Sequence, residues 1–178
     1  MKLKIRNEKG STAAEAVIFA AVIVFVLFPV FAGVIEKYIV ENKVRIIKDA
    51  VDMSAVSAYN TVTAERAGRS NTDPGEHSEI ETLFKELLAY NLNLNPDLTP
   101  KSNSIAEGPV TIVQLEVYTA DMLPIESPSG KFITRPAVYV GLTVPIKPSL
   151  YRQTILNMLG KQYVEINMHV DVEIPKNN

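Results

Sequence analysis

GSTAAEAVIFAAVIVFVLFPVFAGVI, residues Gly10 to Ile35, is the stretch on which the reading of this chain turns. From Ala16 to Ile35 twenty consecutive residues carry no charge, about the number an α-helix needs to cross the ~30 Å hydrocarbon core of a bilayer. The stretch predicts a membrane span. Glu15 stands just outside that run, where a purely anchoring helix has no use for a carboxylate. A charged side chain deep in a membrane costs roughly 2.5–3.5 kcal/mol on insertion scales, less near the interface, and is by default a functional-site candidate. Glu15 therefore calls for a neutralising group.

The flanking residues suggest one. MKLKIRNEKG precedes the span, with Lys2, Lys4, Arg6 and Lys9 against Glu8. Such a cluster is retained on the cytoplasmic side and places the rest of the chain outside. Cleavage between Gly10 and Ser11 would make Glu15 the fifth residue of the product. The new α-amino group of Ser11 would then lie about one helical turn away, and amine and carboxylate can neutralise each other between neighbouring helices.

Lys9-Gly10 followed by Ser11-Thr12-Ala13-Ala14-Glu15 and an apolar run resembles the class III signal of type IV pilins and pseudopilins. In that family a prepilin peptidase cuts after the glycine and leaves the hydrophobic helix attached. The small-residue run is most similar to the TadE/TadG-like pseudopilins of tight-adherence systems, and the match covers about residues 6 to 60. It departs at Ala16, where Flp pilins and many TadE-like proteins carry an aromatic, and at Ser11, where major type IV pilins usually carry phenylalanine. These departures argue against a major pilin. The resemblance implies processing at Gly10 and Ser11, and assembly through Glu15 with other pilin or pseudopilin subunits. It also implies contact with the inner platform proteins of a secretion machine.

Other readings compete. A secretory signal peptide also has a basic start, but its apolar region is shorter and ends in a small-residue cleavage site; here the run passes directly into Glu36 and Lys37. An uncleaved signal anchor explains the span and its orientation, but not a glutamate five residues after a glycine. Glu15 as a mere marker of the interfacial edge is compatible with the pilin reading.

The chain has 178 residues, enough for one membrane helix and one modest domain. Its net charge is −2, and removal of residues 1–10 leaves 14 basic against 19 acidic residues, or −5. That is no electrostatic footprint for nucleic acid. Without cysteine the exported domain has no disulfide, and its stability must come from packing.

Beyond the span, Val40, Val44, Ile47, Val51, Ala55, Ala58 and Val62 recur at helical spacing. Glu36, Lys37, Glu41, Lys43, Arg45, Lys48, Asp49 and Asp52 occupy the other face. One helix from about Thr12 to Arg66 is expected, roughly 80 Å long at 1.5 Å per residue. Pro29 should bend it by removing a backbone donor and crowding the carbonyl four residues back; with Gly33 one turn on, residues 29 to 33 are the expected joint. Val51 to Val62 should face the chain's own domain, whereas Tyr38 to Ile47 spreads its apolar residues widely enough to face other subunits.

Ala67 to Gly75 reads as a loop, and His77 to Tyr90 as a helix with Ile80, Leu83, Phe84, Leu87 and Leu88 inward. Asn91 to Gly108, rich in Asn, Pro and Ser, is expected to be a long exposed connection. The period then changes to two. A strand runs through Val110 to Tyr118, a turn through Leu123 to Lys131, and a second strand through Ala137 to Ile146, short or at an edge because Pro136 and Pro145 bracket it. Ser149 can cap a helix from Leu150 to Leu159 that ends at Gly160. Tyr163 to Ile174 alternates most regularly, with Val164, Ile166, Met168, Val170, Val172 and Ile174 on one side.

On the opposite side of that strand, Glu165, His169, Asp171 and Glu173 offer oxygen and imidazole ligands. Ligands along a flat strand rarely converge, and a polar outer row is what solubility requires, so no metal and no other cofactor is expected. His77 has no recognisable partner. With no glycine-rich phosphate loop, no cysteine nucleophile, no His-Glu-x-x-His run and no Gly-x-Ser-x-Gly elbow, an enzyme is the least supported class.

The expected protein is therefore α+β and pilin-like: a basic leader (1–10), a transmembrane helix (11–35), its extramembrane continuation (36–66) and an extracytoplasmic domain (67–178) with a small antiparallel sheet and one or two short helices. The expected function is that of a minor structural subunit of a type IV pilus or a tight-adherence secretion assembly. It would lie in the bacterial cell membrane with its N-terminus cytoplasmic, or in an extracellular filament after assembly. The alternative is an uncleaved, signal-anchored surface domain that binds or tethers.

Overall fold

The computed structural model describes residues 8–69, 76–148 and 150–175; the expected leader through residue 7, most of the loop after Ala67 and the Ser149 cap lie outside them. The chain divides into two compact units, Met1–Val40 and Glu41–Asn178. The first contains helix α1 (Glu8–Val22), a π-helical turn (Ile23–Leu27) and the start of α2 (Phe28–Arg69). The second contains the remainder of α2, α3 (Glu76–Asn91), β1 (Thr111–Tyr118), β2 (Ile125–Glu126), β3 (Phe132–Ile133), β4 (Ala137–Ile146), α4 (Leu150–Met158) and β5 (Val164–Glu173). The architecture is α+β, with a long apolar N-terminal helix followed by a small antiparallel-sheet domain with short helices.

In the second unit the periodicities of the sequence become a core. Ile47, Val51, Ala55, Ala58 and Val62 of α2 are buried, as are Ile80, Phe84 and Leu88 of α3. Full burial of the valine, isoleucine, leucine and phenylalanine side chains among them is worth about 1.5–3 kcal/mol each. Polar groups join the two helices: Asn91 Nδ2 donates to Ser54 Oγ at 2.9 Å, the buried Ser54 hydroxyl donates to the Ala50 carbonyl at 2.7 Å, and Arg66 Nε meets Glu79 Oε2 at 3.0 Å. Hydrogen bonding satisfies the one hydroxyl that the stripe buries.

The main sheet is antiparallel in the order β1-β4-β5. Val138, Val140 and Leu142 of β4 lie opposite Val172, Val170 and Met168 of β5, and all six are buried. Because side chains alternate across a strand, these pairs form one continuous apolar face. The other face is covered where β2 and β3, a small antiparallel pair, bring Ile133, Leu123 and Ile125 against Tyr118, Ala137 and Tyr139.

Two expectations are corrected. The strand bracketed by Pro136 and Pro145 is neither short nor peripheral; β4 spans ten residues at the centre of the sheet. Pro145 is tolerated because the register with β1 begins at Thr111↔Thr143, so β1 does not reach it. On that side a single bond suffices, from the Glu107 N–H to the Pro145 carbonyl at 2.9 Å, and a proline with no ladder donor to lose costs little. The second correction concerns residues 91 to 108. They are irregular, as their composition requires, but they pack: Leu92 and Leu94 are 2% and 1% exposed. The Asn and Ser side chains hold the folds of the chain, with Asn93 Nδ2 on the Ser102 carbonyl and Ser104 Oγ on the Leu92 carbonyl, both at 2.8 Å.

The end of α4 and the middle of β4 use glycine for different reasons. Gly160 adopts φ +70°, and Lys161 N–H reaches the Leu156 carbonyl while Gly160 N–H reaches that of Asn157. This is the double closure that ends many helices at a left-handed residue. Gly141 instead leaves room: a Cβ there would sit 3.3 Å from His169 Nδ1 and 3.5 Å from the Gln114 Cβ.

Candidate functional site

The N-terminal unit carries the candidate site. Gly10 lies in the first turn of α1, the Gly10–Ser11 bond is therefore within helical backbone, and Glu15 follows one turn after Ser11 with its side chain exposed. Four helical residues rise about 6 Å and turn about 400°, so the backbone of residue 11 and the side chain of residue 15 share a face. The same arithmetic separates Glu15 from two of the helix's alanines. At about 100° per residue, Ala13 and Ala20 lie roughly 140–160° around the axis from it. Ala13 and Ala20 thus lie on a different face of the helix from the carboxylate.

From Val17 to Ile35 the surface is apolar in every direction. Val17, Phe19, Phe25, Phe28 and Phe31 are all exposed, Phe25 to 78%. A helix that is hydrophobic all round is buried in a large core or spans a membrane, and none of the most apolar window of this helix is buried within the chain. One helix near the N-terminus, reaching from Ala13 to Ala67, is long and apolar enough to cross a membrane. Alanine and glycine punctuate the run: a Cβ at Gly33 would meet nothing within 4 Å, so nothing else in the chain requires glycine there.

The backbone departs from α geometry at Ile23–Leu27, one turn before Pro29. Phe28 N–H bonds to the Ile23 carbonyl, five residues back. Pro29 has no N–H for the carbonyl of Phe25 and its ring crowds that group; a widened turn relieves both. Pro29 and Gly33 themselves are in α-helix, so the irregular turn precedes residues 29 to 33. Its position was not legible because proline marks the cause and the preceding turn absorbs it.

Glu36 was expected among the solvated charges of the helix, yet it is 7% exposed and engaged in a polar or electrostatic interaction. Its one distinguishing signal is its place as the first charge after the apolar run.

Three of the four candidates on the outer row of β5 are committed elsewhere, and Glu165 is exposed. His169 Nδ1 lies 2.8 Å from the Tyr139 hydroxyl, with the two rings stacked. Asp171 accepts a hydrogen bond from Ser129 Oγ, and Glu173 pairs with Lys131 Nζ at 2.6 Å. Ser129 and Lys131 belong to the turn between β2 and β3, so this row straps the small hairpin to the sheet. Lys131 holds the Glu173 carboxyl below its ordinary range, through a hydrogen bond first and charge second. Burial, with Asp171 and Glu116 nearby, raises the Tyr139 hydroxyl above its own. Among the described residues no three His, Cys, Asp or Glu side chains are gathered so as to hold a metal ion. His77 is exposed at the start of α3.

Comparison with protein-family models, with curated proteins and with solved structures returns no match to this chain.

Proposed function

We propose that this chain is a pilin-like subunit, processed after Gly10 by a prepilin peptidase and assembled with similar subunits through its N-terminal helix. The observation that carries the reading is the placement of Glu15 on an exposed face of α1, one turn after Ser11. It stands at the head of a helix whose apolar surface finds no cover within its own chain.

Chemistry gives each residue a role. Glycine is about 1 kcal/mol less favourable than alanine in a helix, so the first turn at Gly10 opens cheaply for cleavage. Cleavage leaves an α-amino group at Ser11, close enough to the Glu15 carboxylate of a neighbouring helix to neutralise it. Within lipid the hydrophobic effect does not draw helices together, because the tails are as apolar as leucine; small residues and polar pairs supply specificity. Ala13 and Ala20 on one face and Glu15 on another equip the helix to meet two neighbours. The π turn before Pro29 lets the segment adjust as it leaves the bilayer for the bundle.

The test separates insertion from assembly. Glu15→Ala should enter the membrane and be cleaved, yet fail to enter filaments or to support secretion. Wild-type assembly of that variant would remove the pairing role.

A further inference from the structure

We propose that the C-terminal end of α4 docks on an anionic lipid surface, with Met158 and Leu159 entering the bilayer interface and Arg152 and Lys161 meeting the phosphate headgroups. The proposal rests on the membrane-span reading alone, and not on processing or assembly.

Charge distribution is the first observation. The second unit is acidic, with 17 acidic against 13 basic residues between Glu41 and Asn178. Yet between Glu126 and Glu165 there is no acidic residue, while Lys131, Arg135, Lys147, Arg152 and Lys161 all fall there. Lys131 is neutralised by Glu173. Arg135 lies by Glu173 at the other end of the sheet; Arg152 and Lys161 share the groove beside α4 with one acid, Glu165.

Exposure is the second. Met158 is 81% exposed and its neighbour Leu159 68%, and the closure at Gly160 turns the chain sharply so that both protrude at the helix end. Leu156, by contrast, is buried. Two apolar side chains on a projecting corner are the shape that enters a fluid interface, where no complementary pocket is needed.

The third is a groove of about 530 Å³ between α4 and the start of β5, lined by Arg152, Lys161, Tyr163 and Asn167, with Glu165 at the strand. Neither the Arg152 guanidinium nor the Lys161 ammonium has a hydrogen bond or ion pair among the described residues. Basic side chains beside exposed apolar ones are the combination that anionic membranes attract. The groove beside α3, lined by Lys85, Lys101 and a single acid, Glu86, carries charge of the same sign and is no match for this corner on a second copy. A weak surface contact is sufficient for a chain that a spanning helix already holds at the surface, and Lys43 of α2, eight residues beyond the apolar run, donates to the Lys147 carbonyl just before α4 at 2.7 Å.

The absence of cysteine makes the test clean. Full-length Met158→Cys and, as reference, Tyr90→Cys would each carry one environment-sensitive fluorophore; Tyr90 is 82% exposed and lies on α3. Both would be reconstituted in phosphatidylcholine vesicles, with and without phosphatidylglycerol, containing nitroxide-labelled lipid. The expected result is several-fold stronger quenching at position 158 than at 90 when phosphatidylglycerol is present. High salt, or Arg152→Glu with Lys161→Glu in a chain of unchanged circular dichroism, should abolish the difference. Equal quenching at the two positions would overturn the proposal, as would quenching at 158 that ignores phosphatidylglycerol and charge reversal. A signal that follows protein density rather than lipid composition would assign the corner to a second copy and overturn it too. Release of the protein by carbonate washing would remove the span and the docking together, whereas failure of docking in a carbonate-resistant protein removes docking alone.

Discussion

Two phenylalanines show how differently the two units use apolar residues. Phe25, in the N-terminal helix, is 78% exposed; Phe84, in α3, is fully buried. Both sit in helices, but one helix shows apolar side chains on all sides and the other on a single stripe. The stripe is an address within the chain, and the all-round surface is an address outside it. Stability and membrane function should therefore respond to mutation independently.

The largest effect on assembly should come from Glu15→Ala, which removes a carboxylate at the edge of the apolar run that a purely anchoring helix has no use for. Co-purification of tagged and untagged subunits should fall by at least an order of magnitude while the carbonate-resistant fraction stays constant. The largest effect on folding should come from Phe84→Ala, at about 3–5 kcal/mol by denaturant unfolding. Phe25→Ala should leave that unfolding midpoint in place, and a comparable loss from both would erase the contrast between the units.

Gly141→Val is expected to cost about 1–3 kcal/mol, since even a Cβ there meets His169 Nδ1 and Gln114 within 3.5 Å. Gly33→Ala should not lower domain stability, because the added carbon meets nothing within 4 Å; a fall in assembly would then locate a neighbouring helix at that face. The smallest effect is electrostatic. Lys131 depresses the Glu173 pKa, so this pair stabilises the fold above the ordinary carboxylate range and loses its contribution as pH falls through the depressed value. Lys131→Ala should return the Glu173 titration, followed by NMR, upward toward its ordinary position. The accompanying loss of stability at neutral pH should be slight and screened by salt, because both side chains are well exposed.

Much of this architecture was legible because burial leaves a period. The stripe from Ile47 to Val62, the inward row of α3 and the alternation of β5 each follow from repeating geometry. Gly160 was legible as a helix end for the same local reason, that a left-handed residue favours glycine. What escaped depends on partners distant in sequence. The central place of β4 was hidden because Pro145 reads as an edge signal unless β1 is known to stop at Thr111. Leu92 and Leu94 were lost among asparagines, and the β2 and β3 pair is only two residues a side, too short for any period. For the candidate site, spacing and resemblance singled out Gly10, Ser11 and Glu15, and the structure adds that Ser11 and Glu15 lie one turn apart on a helix. The π turn and the buried Glu36 needed coordinates.

The most direct test of the central claim is the intact mass and N-terminal sequence of the protein recovered from membranes of cells with and without their prepilin peptidase. The account predicts a mature chain beginning at Ser11 only where the peptidase is present, and the full-length precursor where it is absent. A chain that begins at Met1, or lacks only that residue, in both strains would contradict it and leave a signal-anchored domain whose Glu15 serves some other end.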